Sequence, residues 1–232
     1  MSDISSRIKA ALEREPEVNS DLDEIDVVEN DVIELQGCVT TLGAKRRALR
    51  VAMETTEDGV VNDRLRLRPQ QRHGDDQIAA ALDQALRGEA EFQGITIDKA
   101  DEQAREAAGQ CIAYSVDEGV VRLDGVVESL SHRRLAEVLA WWTPGITDVD
   151  NRLRVKPPQE ENDAELAEAL ELVFSKDPAL SSHEINALVR DRRVRLGGRV
   201  ASQAQKQRAS ADCWCLPGVH EVRNELQVVP TA

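Results

Sequence analysis

A short motif that occurs three times is the strongest constraint on how this chain folds. The motif is Leu-x-Gly-x-Val, at Leu35 to Val39, Leu123 to Val127 and Leu196 to Val200. Counted from each glycine, further positions agree without any gap over about thirty residues. The shared positions are Ala48, Ala136 and Ala209; Met53, Trp141 and Trp214; Val61, Val149 and Val222; Leu65, Leu153 and Leu226; and Leu67, Val155 and Val228. Agreement at so many offsets indicates three copies of one small unit.

Hydrophobic periodicity predicts the same elements in each copy. Apolar residues alternate with polar ones around the motif and again at the end of each copy, which is typical of half-buried strands. Proline-free stretches of about thirteen residues lie between these strands and predict helices. An amphipathic helix and a short alternating run precede each motif. The predicted order is therefore helix, strand, strand, helix, strand, which makes the fold class α+β with three tandem αββαβ modules.

Short proline-containing linkers divide the chain into three predicted domains. We assign the first repeat to residues 1–69, the second to 74–157 and the third to 162–232. The second repeat carries an insertion within residues 88–110, where Asp98 to Ala108 is a candidate for a short additional helix. Each repeat is expected to have its own core.

The motif glycines Gly37, Gly125 and Gly198 fall on the apolar side of their strand by parity. A glycine there indicates either a helix that crosses closely over it or a bend in the strand. For Gly125 we expect an added side chain to point at the following helix near Ala136. Gly125→Val is then expected to unfold the second repeat while the first and third keep their structure.

The closing strands place one polar residue on their apolar side, at Asp63, Asn151 and Asn224. A buried amide or carboxyl group needs hydrogen-bond partners, so a structural role in tying down a neighbouring backbone turn is expected. The alternative is a catalytic or ligand-contacting group. No acid, base or nucleophile recurs at a fixed offset from these residues, which favours the structural role.

One tryptophan is a candidate interaction residue. Trp141 and Trp142 are neighbours on a predicted helix and cannot both face the core, so Trp142 is a candidate contact for a partner, with packing between repeats as the alternative. The four cysteines lack metal or disulfide spacing, and the histidines share no offset. We therefore predict no catalytic residue, no metal site and no cofactor.

The net charge of the chain argues against two kinds of anionic ligand. A formal net charge of −14 opposes binding to nucleic acid and also to a leaflet rich in anionic lipid. Aromatic residues make up only 3%, so platforms for stacking bases are scarce. Basic stretches at Lys45 to Arg50 and Arg190 to Arg195 are interpreted as a solvated helix face and a solvated hairpin. No run of apolar residues is long enough for a signal or a spanning helix, which predicts a cytoplasmic protein, with peripheral attachment to the inner membrane as an option.

The motif strand, the alanine-bearing helix and the closing segments Val149-x-Asn151-x-Leu153 and Val222-x-Asn224-x-Leu226 resemble the BON domain family. The resemblance covers nearly the whole chain, although the first repeat departs from it with Asp63 in place of asparagine. It implies an αββαβ module with two helices on a three-stranded mixed sheet. It also implies binding roles, as members are described as associating with phospholipid membranes or other envelope components, often in bacterial stress responses.

Two function classes follow. The first is a non-catalytic binding or scaffolding protein that contacts a phospholipid membrane surface or a protein partner, with oligomerisation as an option. The alternative is a sensor that binds a small solute or an ion between its modules. Phosphate loops, dinucleotide fingerprints, zinc-protease motifs and serine-hydrolase motifs do not occur in the sequence, which argues against an enzyme.

Overall fold

The computed structural model describes residues 3–56, 59–100, 109–180 and 184–229. The chain divides into two compact units, Met1–Arg68 and Pro69–Ala232, and each is described by itself. The first unit holds the first repeat, and the second unit holds the second and third repeats.

The first repeat has the predicted order of elements. Its strands form a sheet in the order β1-β2-β3, in which β1 is antiparallel and β3 parallel to the central β2. The elements are α1 (Asp3–Leu12), a 3-10 helix (Leu22–Glu24), β1 (Ile25–Glu29), β2 (Ile33–Val39), α2 (Leu42–Thr55) and β3 (Val61–Leu67).

The second repeat has the same order with one added strand. β4 lies parallel to β5 at the edge of the sheet, and β5, β6 and the closing segments follow the arrangement of the first repeat. The elements are α3 (Asp75–Gly88), a 3-10 helix (Ala90–Phe92), β4 (Thr96–Lys99), β5 (Cys111–Asp117), β6 (Val120–Val127), α4 (Leu130–Trp142), β7 (Asp148–Asn151) and β8 (Arg154–Val155).

The third repeat again follows this arrangement. β9 pairs antiparallel with β10, and both closing segments pair parallel with β10. The elements are α5 (Asp163–Lys176), β9 (Ile185–Arg190), β10 (Arg193–Val200), α6 (Gln203–Cys215), β11 (Glu221–Asn224) and β12 (Gln227–Val228). The predicted fold class, three αββαβ modules, is confirmed.

A side-chain cap fixes where the helix after each motif begins. The hydroxyl groups of Thr41, Ser129 and Ser202 accept hydrogen bonds from backbone N–H groups three residues on, at 3.1 to 3.2 Å. Each of these residues follows its motif glycine by four positions. An N-cap of this kind satisfies a backbone donor at the first turn of the helix, so the central strand passes directly into the helix that covers it.

The cores are aliphatic, as the composition requires. The motif leucines Leu35, Leu123 and Leu196 are fully buried. In the first repeat Ile8 and Leu12 of α1 pack on the sheet together with Ala48 of α2. Both helices of a repeat therefore cover the same face of its sheet, and the opposite face holds the polar half of each strand.

The insertion in the second repeat differs in part from the expected helix. Asp98 and Lys99 lie in the parallel edge strand β4, where Ile97 is buried against the sheet. Residues 101–108 of the predicted helix lie outside the described residues. The local sequence Thr96 to Lys99 is too short for its alternation to predict a strand, and its pairing with β5 is a tertiary contact.

None of the helices in the described ranges is long and apolar enough to cross a membrane.

Candidate functional site

The repeated asparagines connect the closing strand to the helix beside it. Nδ2 of Asn224 donates to the backbone oxygen of Lys206 at 2.6 Å, and Oδ1 accepts from the backbone N–H of Leu226 at 3.1 Å. Asn151 makes the same two contacts, to the oxygen of Arg133 at 3.0 Å and from the N–H of Leu153 at 3.1 Å. The second contact turns the backbone and separates β7 from β8 and β11 from β12. Both amide groups are thus engaged in the fold.

The first repeat makes the equivalent connection with different chemistry. Oδ1 of Asp63 accepts from the N–H of Leu65 at 3.0 Å, but a carboxylate has no hydrogen to donate to the helix. Instead Nζ of Lys45 lies 2.9 Å from Oδ2 of Asp63 and donates to the backbone oxygen of Leu65 at 2.5 Å. Lys45 occupies the position of Lys206, whose Nζ donates to the oxygen of Leu226 at 2.7 Å. The departure of Asp63 from asparagine is therefore offset by a buried lysine.

The motif glycines have a structural role, but the expected direction of Gly125 is wrong. Their φ angles are +119° at Gly37, +135° at Gly125 and +120° at Gly198. A Cβ atom at Gly125 would overlap the backbone carbonyl of Cys111 on β5, not the helix near Ala136. Strand parity assumes ordinary extended backbone, and a positive φ redirects the Cβ position toward the neighbouring strand. A side chain there is disfavoured both by φ and by this overlap.

Trp142 lies where the second repeat contacts the third. Its Nε1 donates a hydrogen bond of 2.9 Å to Oδ1 of Asp212 on α6, and Cζ of Arg208 lies 5.4 Å from the centre of its indole ring. The structure thus places this candidate interaction residue within the chain's own packing, which was the alternative interpretation. Arg134 of α4 is also buried there, with Nη1 2.8 Å from Oε1 of Glu165 on α5.

Two carboxyl groups of the third repeat share this contact. Asp212 is 1% exposed, and Arg208 Nε donates to Oδ2 of Asp177 at 2.5 Å while lying 3.4 Å from Oδ1 of Asp212. Burial, followed by the hydrogen bond with Asp177, raises the pKa of Asp212 to about 8. Burial acts to raise the pKa of Asp177, but its hydrogen bonds with Asp212 and Arg208 outweigh burial and lower this pKa below its ordinary value. Of the two carboxyl groups, Asp212 is therefore the one that holds a proton more readily.

A recurring aspartate was missed at the sequence level. Oδ2 and Oδ1 of Asp75 accept from the N–H groups of Glu118 and Gly119 at 3.0 and 2.9 Å. Asp163 binds the amides of Asp191 and Arg192 in the same way, at 2.7 and 3.0 Å. Each aspartate opens the first helix of its repeat and holds the turn of the hairpin. The signal in the sequence is an aspartate at the start of that helix in every repeat.

Histidine and cysteine side chains form no site within the part of the chain that is described. His132 packs edge-on against Phe92, with ring centres 5.9 Å apart. Burial raises the pKa of the Cys213 thiol well above its ordinary value, which disfavours a reactive thiolate. No group of three or more His, Cys, Asp or Glu side chains is placed to hold a metal ion among the described residues.

Comparisons with known proteins agree with the repeat. The BON domain model matches residues 2–69, 74–157 and 162–230. The chain is also similar to osmotically-inducible protein Y of Escherichia coli (strain K12), with 30% identity over 122 residues. That alignment spans 50% of this chain and 61% of the relative, which is less than two thirds of the relative's length.

Solved structures give only weak similarity. The C-terminal domain of CdsD, the structural protein of the type III secretion system of Chlamydia trachomatis, is 15% identical, with coverage of 99% of both chains and a TM-score of 0.24. A second CdsD structure is 15% identical, with coverage of 99% of this chain and 94% of that one and a TM-score of 0.26. Scores this low support no further statement. The family match, which covers nearly all of the sequence, shows that the chain belongs to the BON domain family.

Proposed function

We propose that this protein is a non-catalytic binding protein that associates with phospholipid membrane surfaces in a bacterial stress-related setting. The observation that carries the proposal is that the residues shared by the repeats are engaged in the fold. The motif glycines adopt a positive φ, and Asn151 and Asn224 bond to their own helices and turns. This leaves the exposed surfaces of the modules, not a repeated reaction centre, as the part available for function.

Family membership and the name of one relative support the setting. BON members are described as contacting phospholipid membranes or envelope components, and the relative is named for induction by osmotic change. Three modules in one chain multiply weak contacts, since the second and third contacts form within a tethered molecule at a raised effective concentration. The same reasoning applies to association with a protein partner, which is the alternative to membrane association.

The sensor alternative receives less support. It needs a solute between modules, whereas the polar contacts between the second and third repeats are made by the chain's own side chains. Trp142 bonds to Asp212 there, and Arg134 pairs with Glu165. A thermal-shift screen with ions, nucleotides and osmolytes tests it, because a ligand that binds the folded state raises the unfolding temperature.

Flotation of the full chain with vesicles tests the membrane version. Vesicles of phosphatidylcholine alone and of phosphatidylcholine mixed with phosphatidylglycerol are compared at low and physiological salt. Recovery of the protein with either vesicle supports membrane association. Absence of the protein from every floated fraction rules it out and leaves affinity purification from cells to identify a protein partner.

A further inference from the structure

The outer face of the sheet in the third repeat collects five arginines. In β10, Val194, Leu196 and Val200 are buried under the helices, so the alternate residues Arg193, Arg195 and Arg199 point to the opposite face. The strand register places Arg190 of β9 opposite Arg193 and Arg223 of β11 beside Arg195. We call the set Arg190, Arg193, Arg195, Arg199 and Arg223 the basic face.

Acidic neighbours neutralise only part of the basic face. Arg195 and Arg223 share Glu225, at 2.6 and 2.8 Å, and Arg193 lies 3.4 Å from Glu221. Arg190 and Arg199 have no acidic side chain within 4.0 Å among the residues that the structure describes. Even with Glu184, which lies beside Arg199, five arginines stand against three carboxylates. A positive surplus therefore sits on a chain of net charge −14.

An exposed leucine lies within the basic face. Leu188 of β9 is opposite Arg195 in the register and is 65% exposed, more than any other exposed large hydrophobic residue in the described ranges. A single exposed leucine is common on protein surfaces and does not by itself indicate a binding site. Here it shares the face with Arg195 opposite it and with Arg190 two residues along β9, which combines an apolar contact with a positive field.

The corresponding faces of the other repeats lack this surplus. In the second repeat Arg122 lies 3.4 Å from Asp150, and Asp124 and Asp148 occupy further positions on that face. In the first repeat the outer face holds Glu34 beside Arg64, at 3.5 Å, together with the uncharged Gln36 and Asn62. The basic face is thus a property of the third repeat and not of the module in general.

We infer that the basic face docks on an anionic phospholipid headgroup surface, with Leu188 entering the boundary between headgroups and acyl chains. Guanidinium groups bind phosphate through paired hydrogen bonds, and one face of a sheet presents several of them to a bilayer surface at once. Arginines near a negatively charged leaflet combined with an apolar contact are typical of interfacial binding. Nucleic acid fits less well, because the face has no aromatic residue on which bases could stack.

This inference rests on the proposed function, and one flotation experiment separates the two. The full chain is compared with the Arg190→Glu/Arg199→Glu variant, which reverses the two arginines without acidic partners. Arg122→Glu/Arg154→Glu is the matched control, because it makes the same charge change on the outer face of the second repeat. Leu188→Ser is a second test variant that leaves the charge unaltered. Circular dichroism and urea unfolding establish that each variant is folded.

We expect the wild type to float with vesicles that contain phosphatidylglycerol and not with phosphatidylcholine alone. Arg190→Glu/Arg199→Glu should lower the partition coefficient at least about tenfold, while the control changes it by less than about threefold. Leu188→Ser should lower it at low and physiological salt alike, since its contact is apolar.

Four results would overturn the inference. If the wild type binds anionic vesicles and Arg190→Glu/Arg199→Glu binds equally well, the docking face is wrong while the proposed function survives. Equal losses in the test and control variants would show that only overall charge matters. If the wild type also bound duplex DNA or polyglutamate, and Arg190→Glu/Arg199→Glu lost that binding but still bound vesicles, the face would belong to another class of partner. Failure of the wild type to float at all would remove the proposed membrane function together with this inference.

Discussion

Nε1 of Trp142 donates a 2.9 Å hydrogen bond to Oδ1 of Asp212, and this bond joins the last turn of α4 in the second repeat to α6 in the third. Asp212 is nearly inaccessible, and its interaction with the Asp177 side chain is one cause of its raised pKa. A neutral Asp212 can accept from the indole and also has a hydrogen to donate to Asp177, whereas an ionised Asp212 can only accept. The contact between these repeats is therefore sensitive to protonation.

Asp212→Asn should remove a pH-dependent contribution to stability. The pKa of Asp212 is about 8 in the folded chain against an ordinary value of 3.8, so between about pH 4 and 8 the folded state holds a proton that the unfolded state has released. The free energy of unfolding therefore falls as the pH rises through this range, by at most about 1.4 kcal/mol per pH unit. Urea unfolding of wild type and variant from pH 5 to 9 measures the difference.

The variant should lose stability less steeply than the wild type as the pH rises, with the two curves becoming parallel above about pH 8. Asp76→Asn is the control, because the Asp76 side chain is fully exposed. Its curve should run parallel to that of the wild type. Parallel curves for Asp212→Asn as well would mean that Asp212 is ionised in the folded protein.

Aspartate should be tolerated better at position 224 than at position 151. In the wild type, Nδ2 of Asn224 lies 2.8 Å from the Ser210 hydroxyl, so the carboxylate of Asn224→Asp would face a group that can donate a hydrogen bond. Lys206 can also approach this carboxylate, as Lys45 approaches Asp63. In the wild type, Nδ2 of Asn151 lies 3.1 Å from the carboxylate of Glu137, so the carboxylate of Asn151→Asp would face a second carboxylate.

We expect Asn151→Asp to lower the free energy of unfolding by roughly 1–3 kcal/mol and Asn224→Asp by less than about 1 kcal/mol. Urea unfolding at neutral pH gives both values. The alanine variants at the two positions control for loss of the amide and should have similar costs. Equal costs for the two aspartate variants would contradict a compensating role for the lysine.

Two adjacent glycines test the role of positive φ. Gly198 has a φ of +120° and a Cβ atom there would overlap the carbonyl of Glu184, whereas a Cβ atom at Gly197 meets no atom within 4 Å. Gly198→Ala should lower the free energy of unfolding by at least about 2 kcal/mol, and Gly197→Ala should change it by about 0.5 kcal/mol or less. Similar effects of the two substitutions, measured by thermal and urea unfolding, would show that the backbone at Gly198 accepts a side chain.

The sequence predicts the strands and helices whose hydrophobic residues recur at a regular period. The alternation around Leu35, Leu123 and Leu196 reflects burial on one face of a sheet, so strands and helices could be placed within a few residues. Features set by tertiary contact could not. The pairing of β4 with β5, the partner of Trp142 and the direction of Gly125 all depend on residues distant in the sequence.

The basic face illustrates the same limit for the candidate binding surface. Arg193, Arg195 and Arg199 alternate along β10, and that spacing is a usable signal for a single face of a strand. Arg190 and Arg223 join them only through the register with β9 and β11. Read as a linear stretch, Arg190 to Arg195 is merely a charged hairpin.

Gly125→Val tests whether the second and third repeats unfold together. Valine at a φ of +135° would be strained and would overlap the carbonyl of Cys111, so the second repeat should lose its sheet. The sequence alone predicts that the third repeat is unaffected. The structure changes this expectation, because Trp142 and Arg134 of the second repeat pair with Asp212 and Glu165 of the third.

Amide hydrogen exchange, followed repeat by repeat, gives the answer. We expect protection to be lost over residues 109–157 and reduced in α5 and α6, while residues 3–56 keep theirs because the first unit has a separate core. Unchanged protection in α5 and α6 would mean that the contact through Trp142 does not couple the two repeats. Uniform loss along the chain would mean one cooperative unit, and unchanged protection in the second repeat would mean that Gly125 tolerates a side chain.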